Sequence, residues 1–160
     1  MLPHQDQFLN LLDFKELPAT DGRKPITESS DVFTGVIDSK FKKYGTDVHG
    51  GATNSATAMV YEVKRNGNCQ CLFASYGIDW RDRVLELGQV SAFCAKYPEL
   101  LSQNGHGTLF LTQAKKEGIN YQFCALVYMS ANRQIVSVSL RLLDDLFIWN
   151  ADETRLILLE

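Results

Sequence analysis

From Ile119 onward every second position is apolar, through Tyr121, Phe123, Ala125, Val127 and Met129, while Asn120, Gln122, Cys124 and Ser130 fall between them. A two-residue period puts alternate side chains on opposite sides of a pleated strand, so one side of this segment is meant for a core. Similar patterns predict strands at 108–113, 119–129, 134–143, 146–150 and 154–159. The connections at 115–118, 130–133 and 150–153 are short, which makes sequential strands antiparallel neighbours in a C-terminal meander. Asp144-Asp145 reads as a turn or as a bulge in one long strand. Leu156, Ile157, Leu158 and Leu159 are apolar on both sides, as in a central strand or an edge covered by another chain.

The first half of the chain has a different rhythm. Phe8, Leu11, Leu12 and the stem of Lys15 recur at spacings of three and four, which predicts an amphipathic helix over 4–16, closed by Pro18. Pro18, Asp21, Gly22 and Pro25 then mark a surface connection. A second helix is predicted from Ser30 or Asp31, with Phe33, Val36, Ile37, Phe41 and Tyr44 along one side, Lys40, Lys42 and Lys43 near its end, and Gly45 as its cap. The segment 46–57, with Gly50, Gly51, Thr53, Asn54 and Ser55, has Val48 as its one sizeable apolar anchor and reads as a functional loop. Asn66-Gly67 lies between 58–63 and 69–76, which predicts a β-hairpin, because this dipeptide adopts the positive φ angles of a tight turn. Asp79, with Asp82 three positions on, caps a predicted helix carrying Val84, Leu87, Val90, Cys94 and Tyr97, ended by Pro98.

The predicted class is α+β: N-terminal helices, a hairpin, a central helix and an antiparallel meander forming one curved sheet packed on helices. This succession resembles the nuclear transport factor 2-like cone folds, which implies a curved sheet wrapped around helices with a cavity at its centre. Residues 58–143 also resemble a profilin or roadblock-like arrangement, with the two N-terminal helices as additions. At 160 residues and 45% hydrophobic, the chain suffices for one ordinary core, and residues 1–160 read as a single domain. The apolar runs fall far short of the roughly 20 residues that span a bilayer. Residues 1–12 contain no Lys or Arg and lack a continuous apolar stretch, so they do not read as a secretory signal, and a cytoplasmic location is expected. A net charge of −3 argues against broad attraction to nucleic acid.

Candidate chemistry is sparse. Cys69, Cys71, Cys94 and Cys124 are embedded in apolar patterns and read as reduced, buried thiols. Cys69 and Cys71 would sit on one side of a strand roughly 6–7 Å apart, awkward for one zinc ion, and no second pair completes a site, so neither metal nor cofactor is expected. A thiol hydrolase or transferase would use Cys69 or Cys71 with His106 and Asp144, although a cysteine on a strand lacks the helix dipole that lowers a thiol pKa. His49, beside Gly50-Gly51 and near Lys40, Lys42, Lys43, Thr46, Thr53 and Ser55, suggests an anion site, but the glycines match no phosphate-loop pattern. Tyr121, Ser137, Ser139 and Arg141 would line the mouth of a curved sheet in a small-molecule-binding protein or acid/base enzyme. Trp80, Trp149, Tyr76 and Phe147 fall near predicted element ends, and Asp144, Asp145, Asp152, Glu153 and Glu160 face Arg155 alone after residue 143. Trp80, Asp144, Asp145, Trp149, Asp152 and Glu153 are therefore the candidate contacts for a protein partner, such as a basic toxin domain. The leading expectation is a small, non-catalytic protein-binding protein: an immunity or antitoxin-type inhibitor of a toxic enzyme, or an adaptor.

Overall fold

The computed structural model describes residues 8–46, 51–103, 105–116, 118–132 and 135–160. Expectations that fall on 1–7, His49 with 47–50, Asn104, Glu117 and 133–134 lie outside these residues. The described chain is α+β. Its strands are β1 Leu9–Leu17, β2 Ala56–Val63, β3 Leu85–Glu86, β4 Gly107–Lys116, β5 Ile119–Met129, β6 Val136–Leu142 and β7 Arg155–Leu159. Its helices are α1 Lys40–Lys43, α2 Cys69–Ala74 and α3 Leu87–Lys96.

The sheet is open and mixed, in the order β1-β2-β7-β4-β5-β6, with β3 beside β4. The segment β4-β5-β6 is the antiparallel meander that the alternating pattern predicts. Strand β7 departs from it by inserting between β2 and β4, antiparallel to the first and parallel to the second. A strand in that position is covered on both sides, and its sequence matches: Ile157 enters one core, Leu156 and Leu158 the other.

Two cores sandwich the sheet. On the first side Ala58, Val60, Phe110, Phe123, Ala125, Val127 and Ile157 pack with Val90 and Phe93 of α3 and with Phe41, Phe33 and Ile26. On the second side Met59, Leu109, Leu111, Cys124, Leu126, Leu156 and Leu158 pack with Leu72 and Phe73 of α2, Trp80 and Trp149. Each fully buried large apolar side chain contributes about 1.5–3 kcal/mol, so both layers matter to stability.

Several predicted elements take another form. The segment 4–16 is not a helix where it is described: β1 pairs with β2 along its length, and a bulge between Leu11 and Asp13 shifts its phase by one residue. Leu9 and Leu11 face the second side before the bulge, and Phe14 faces it afterwards, opposite Met59. The predicted stripe of Phe8, Leu11, Leu12 and Lys15 therefore does not share one side: Leu12 falls in the bulge, and Lys15 pairs with Ala58. The second predicted helix survives only as α1. Residues 35–38 instead run beside β6, with Gly35 N donating to Val136 O at 2.9 Å and Asp38 N to Val138 O at 2.9 Å. Gly35 permits this approach, since a Cβ there would lie 2.2 Å from Ser137 Oγ. The segment covers the open edge of β6, a demand that outweighs local helical preference.

The hairpin after Asn66-Gly67 is absent. Asn68 caps α2, its Oδ1 accepting from Cys71 N at 2.9 Å, and Cys69, Leu72 and Phe73 bury one side of the helix at spacings of three and four. The central helix starts later than expected: Glu86 and Gln89 form a reciprocal capping box at Leu87, and the segment from Asp79 holds a single 3-10 turn and β3. Residues 146–150 form no strand, and Asp145 N donating to Leu142 O at 3.1 Å makes Asp144-Asp145 a turn. The chain begins its described part with a strand and lacks the hairpin, so the element orders of the cone and roadblock-like folds are not confirmed.

Candidate functional site

The segment 142–151 leaves β6 and crosses the second side of the sheet before joining β7. It is tied down by a few bonds. Trp149 N donates to Gly67 O at 2.8 Å, Gly67 N returns a bond to Trp149 O at 3.2 Å, and Ala151 N donates to Asn66 Oδ1 at 2.7 Å. At the other end Arg141 Nη1 and Asp145 Oδ2 form an ion pair at 3.2 Å, and Asp145 Oδ1 accepts from Phe147 N at 2.9 Å. The Phe147 N–H and, after it, the Arg141 guanidinium hold the Asp145 carboxyl below its usual range against opposing burial. Burial opposes the Arg141 charge, yet hydrogen bonds to Asp145 and Tyr128 keep its pKa above the ordinary value.

The strap has two sides. Its inner side is Trp149, 5% exposed, which lies against Gly107 and Leu126; a Cβ on Gly107 would come within 3.1 Å of the indole ring. Its outer side is apolar and open to solvent: Leu146 is 82% exposed, Phe147 52%, Ile148 52%, and neighbouring Leu142 48%. Phe147 leans on Trp149 with ring centroids 4.7 Å apart, and Arg141 lies 5.6 Å from the Phe147 ring. Asp144 is exposed at the head of the strap and makes no hydrogen bond or ion pair among the described residues. Consecutive exposed large apolar residues are uncommon on a free surface and mark interaction sites.

Beneath the strap lies a pair of thiols. Cys69 is in the first turn of α2 and Cys124 at the middle of β5, both buried in the second core, where Cys124 Sγ donates to Ala125 O at 3.7 Å. The neighbouring Cys124 thiol lowers the Cys69 pKa against the cost of burial, with further help from the Trp149 indole and the Arg141 charge. Burial, and then Cys69 itself, push the Cys124 thiol well above its usual range. Burial also raises the Cys94 thiol, which sits in the other core.

The predicted site residues are dispersed. Cys69 begins a helix, which overturns the strand placement, but it is buried, whereas Cys71 is exposed. His106 lies 3.6 Å from Glu153, and no hydrogen bond joins it to either cysteine. Trp80, 8% exposed, stacks on Phe73 and, like Trp149, is interior rather than a surface anchor. Asp152 pairs with Lys64 at 2.8 Å, and Glu153 accepts from Asn150 at 3.3 Å, so these acids fasten a turn. Tyr121 shares the side of Phe123, which faces Leu142 across the ladder, while Ser137, Ser139 and Arg141 pair with Tyr128, Leu126 and Cys124 on the opposite side. These four residues therefore do not converge, and Ser137 Oγ is already occupied by Val36 N at 2.9 Å. Of the 46–57 loop, the described part is anchored: Thr20 and Thr53 exchange backbone bonds of 3.0 and 2.9 Å.

A groove between α1 and the end of β6, of about 170 Å³, is lined by Lys40, Tyr44, Arg141, Asp144 and Asp145, and another of about 230 Å³ lies beside Thr20 and Ser91. Both are below the roughly 300–1,000 Å³ of small-molecule sites. Among the described residues no group of three His, Cys, Asp or Glu side chains is placed to hold a metal ion. No described helix is long and apolar enough to cross a membrane.

Sequence reasoning missed Leu142, Leu146 and Ile148 as surface residues, because the run Leu146-Phe147-Ile148-Trp149 has the composition of a strand. The only sign against it is the absence of polar alternation. No protein-family model, curated protein or solved structure matches this chain.

Proposed function

We propose that this chain is a non-catalytic protein-binding protein that docks its partner on the outer side of the 142–148 strap. The observation carrying this reading is the exposure of Leu142, Leu146, Phe147 and Ile148 beside the exposed Asp144, which has no ion-pair partner among the described residues. Apolar side chains supply the driving force on burial, and an acid at the rim selects orientation and raises the association rate. The partner that fits is a protein surface with an apolar cleft edged by Lys or Arg. An immunity or antitoxin-type inhibitor of a basic toxin domain, or an adaptor, has this character, and an interior placement of the chain in the cytoplasm accords with its reduced thiols.

Capture from the source cell tests this with two baits, the wild-type chain and a Leu146→Asp/Phe147→Asp variant. The expected result is a protein retained by the first and lost from the second. An identical set of captured proteins on both baits contradicts the reading.

A further inference from the structure

We propose that the outer edge of β1 is an interface at which two copies of this chain pair antiparallel, Phe14 against Phe14, across a two-fold axis. This edge lies at the opposite end of the sheet order from β6 and shares no residue with the strap, so the inference stands whether or not the strap binds a partner.

The two ends of the sheet are treated differently. Beyond β6, residues 35–38 add a covering segment, with Gly35 N donating to Val136 O, Val138 N to Val36 O and Asp38 N to Val138 O, each at 2.9 Å. Strand β1 has β2 as its one strand neighbour among the described residues. In an antiparallel pair alternate residues bond the neighbouring strand, and the rest turn their N–H and C=O outward. Two side-chain bonds mark the outward set on β1: Asp13 Oδ1 accepts from Phe14 N at 2.8 Å, and Tyr97 Oη donates to Glu16 O at 2.7 Å. The Asp13 bond joins sequence neighbours at the surface, so an incoming strand can take its place. The same strand is apolar where it is open: Leu11 is 41% exposed, Leu12 41% and Phe14 49%. An uncovered apolar edge is a template for pairing with another chain.

Charge decides the occupant and the register. Asp13 and Lys15 stand on one side of the strand, paired at 3.3 Å, with Phe14 between them on the other side. Setting Phe14 opposite the Phe14 of a second copy places each Asp13 opposite a Lys15, so two cross-strand ion pairs join the two already present. The same register brings the outward Phe14 N–H of each copy to the Phe14 carbonyl of the other, and the two aromatic rings meet on the second side of the sheet. Centring the pair on Asp13, Lys15 or Glu16 instead sets like charges face to face. The segment Asp13-Phe14-Lys15 is therefore complementary to itself, as an isologous two-fold interface requires, and the assembly closes at two copies.

The test is sedimentation velocity of the full chain over a concentration series, beside Lys15→Asp and the exchanged variant Asp13→Lys/Lys15→Asp, with the melting temperature of each measured. The expected result for the wild type is a concentration-dependent shift from the mass of one chain to that of two, and no further. Lys15→Asp sets acid against acid at both cross-strand positions and should weaken dimerisation at least about tenfold. The exchange restores opposite charges at both positions and should return dimerisation to the wild-type strength. A wild type that stays monomeric up to about 1 mM, a Lys15→Asp dimer as tight as the wild type, or an exchanged variant of wild-type melting temperature that stays monomeric overturns the proposal. Leu146→Asp/Phe147→Asp should dimerise as the wild type does; loss of the dimer in that folded variant, with Lys15→Asp unaffected, places the contact on the strap and overturns it too.

Discussion

Of the four cysteines, Cys71 alone is exposed, and burial sets the behaviour of the others. A bulky water-soluble alkylating reagent should therefore modify one thiol in the folded protein, at Cys71, and four after denaturation; rapid labelling of Cys69 would show that Trp149 does not cover it. Asp145 carries a pH dependence of known sign. Its carboxyl is held below the ordinary value, chiefly by the Phe147 N–H, so its stabilisation is present above the unfolded carboxylate pKa of about 3.9 and is lost as pH falls through the folded value. In a Trp80→Phe background, Trp149 emission should shift to longer wavelength on acidification below that range. Asp145→Ala should show the shift at neutral pH and lose about 1 kcal/mol of stability, the worth of an ordinary hydrogen bond. A wild-type emission indifferent to acid would separate Asp145 from the seating of Trp149.

At the scale of elements, Asn68 shows how one residue decides between two structures. The Asn66-Gly67 pair invites a hairpin, yet Asn68 can cap a helix, and Cys69, Leu72 and Phe73 then bury together under Trp149 and Trp80. The signal for α2 was present in the spacing of those three residues, but it competed with a stronger turn motif. The meander at β4-β5-β6 was readable because an apolar residue stands at every second position from Ile119 to Met129 in β5. Strand β1 was not, because Phe8, Leu11, Leu12 and Lys15 fall at helical spacings while the bulge at Leu12 breaks the two-residue period, and register with β2 cannot be seen from β1 alone. Asn68→Ala should cost about 1 kcal/mol, the usual loss on removing an Asn cap, and should lower the melting temperature without altering the β-sheet signal in circular dichroism. A neutral substitution would mean that packing alone holds α2.

For the whole molecule, the two-sided apolarity of Leu156 to Leu159 foretold a central strand, but not its neighbours: the parallel contact with β4 joins residues 47 apart in sequence, Leu109 with Leu156 and Phe110 with Ile157. The strap follows from this topology. Because β7 lies between β2 and β4 while β6 ends at the far edge, the chain must cross the second side of the sheet, and it does so with Trp149 inward and Leu146, Phe147 and Ile148 outward. Deleting 155–160 removes the strand that joins β2 to β4, so the truncated chain should fail to fold cooperatively; a sharp thermal transition in that chain would contradict the sheet order. The acidic candidates at Asp144 and Asp145 were legible in the sequence, whereas the apolar surface between them and Trp149 emerged only when residues 146–148 proved not to be a strand.

The claim that the strap is a docking surface is tested most directly by the dissociation constant of the captured partner, measured by calorimetry for the wild-type chain and the Leu146→Asp/Phe147→Asp variant, with both shown to melt at the same temperature. The account predicts weakening of at least about tenfold, or about 1.4 kcal/mol. An unchanged constant in a folded variant contradicts it.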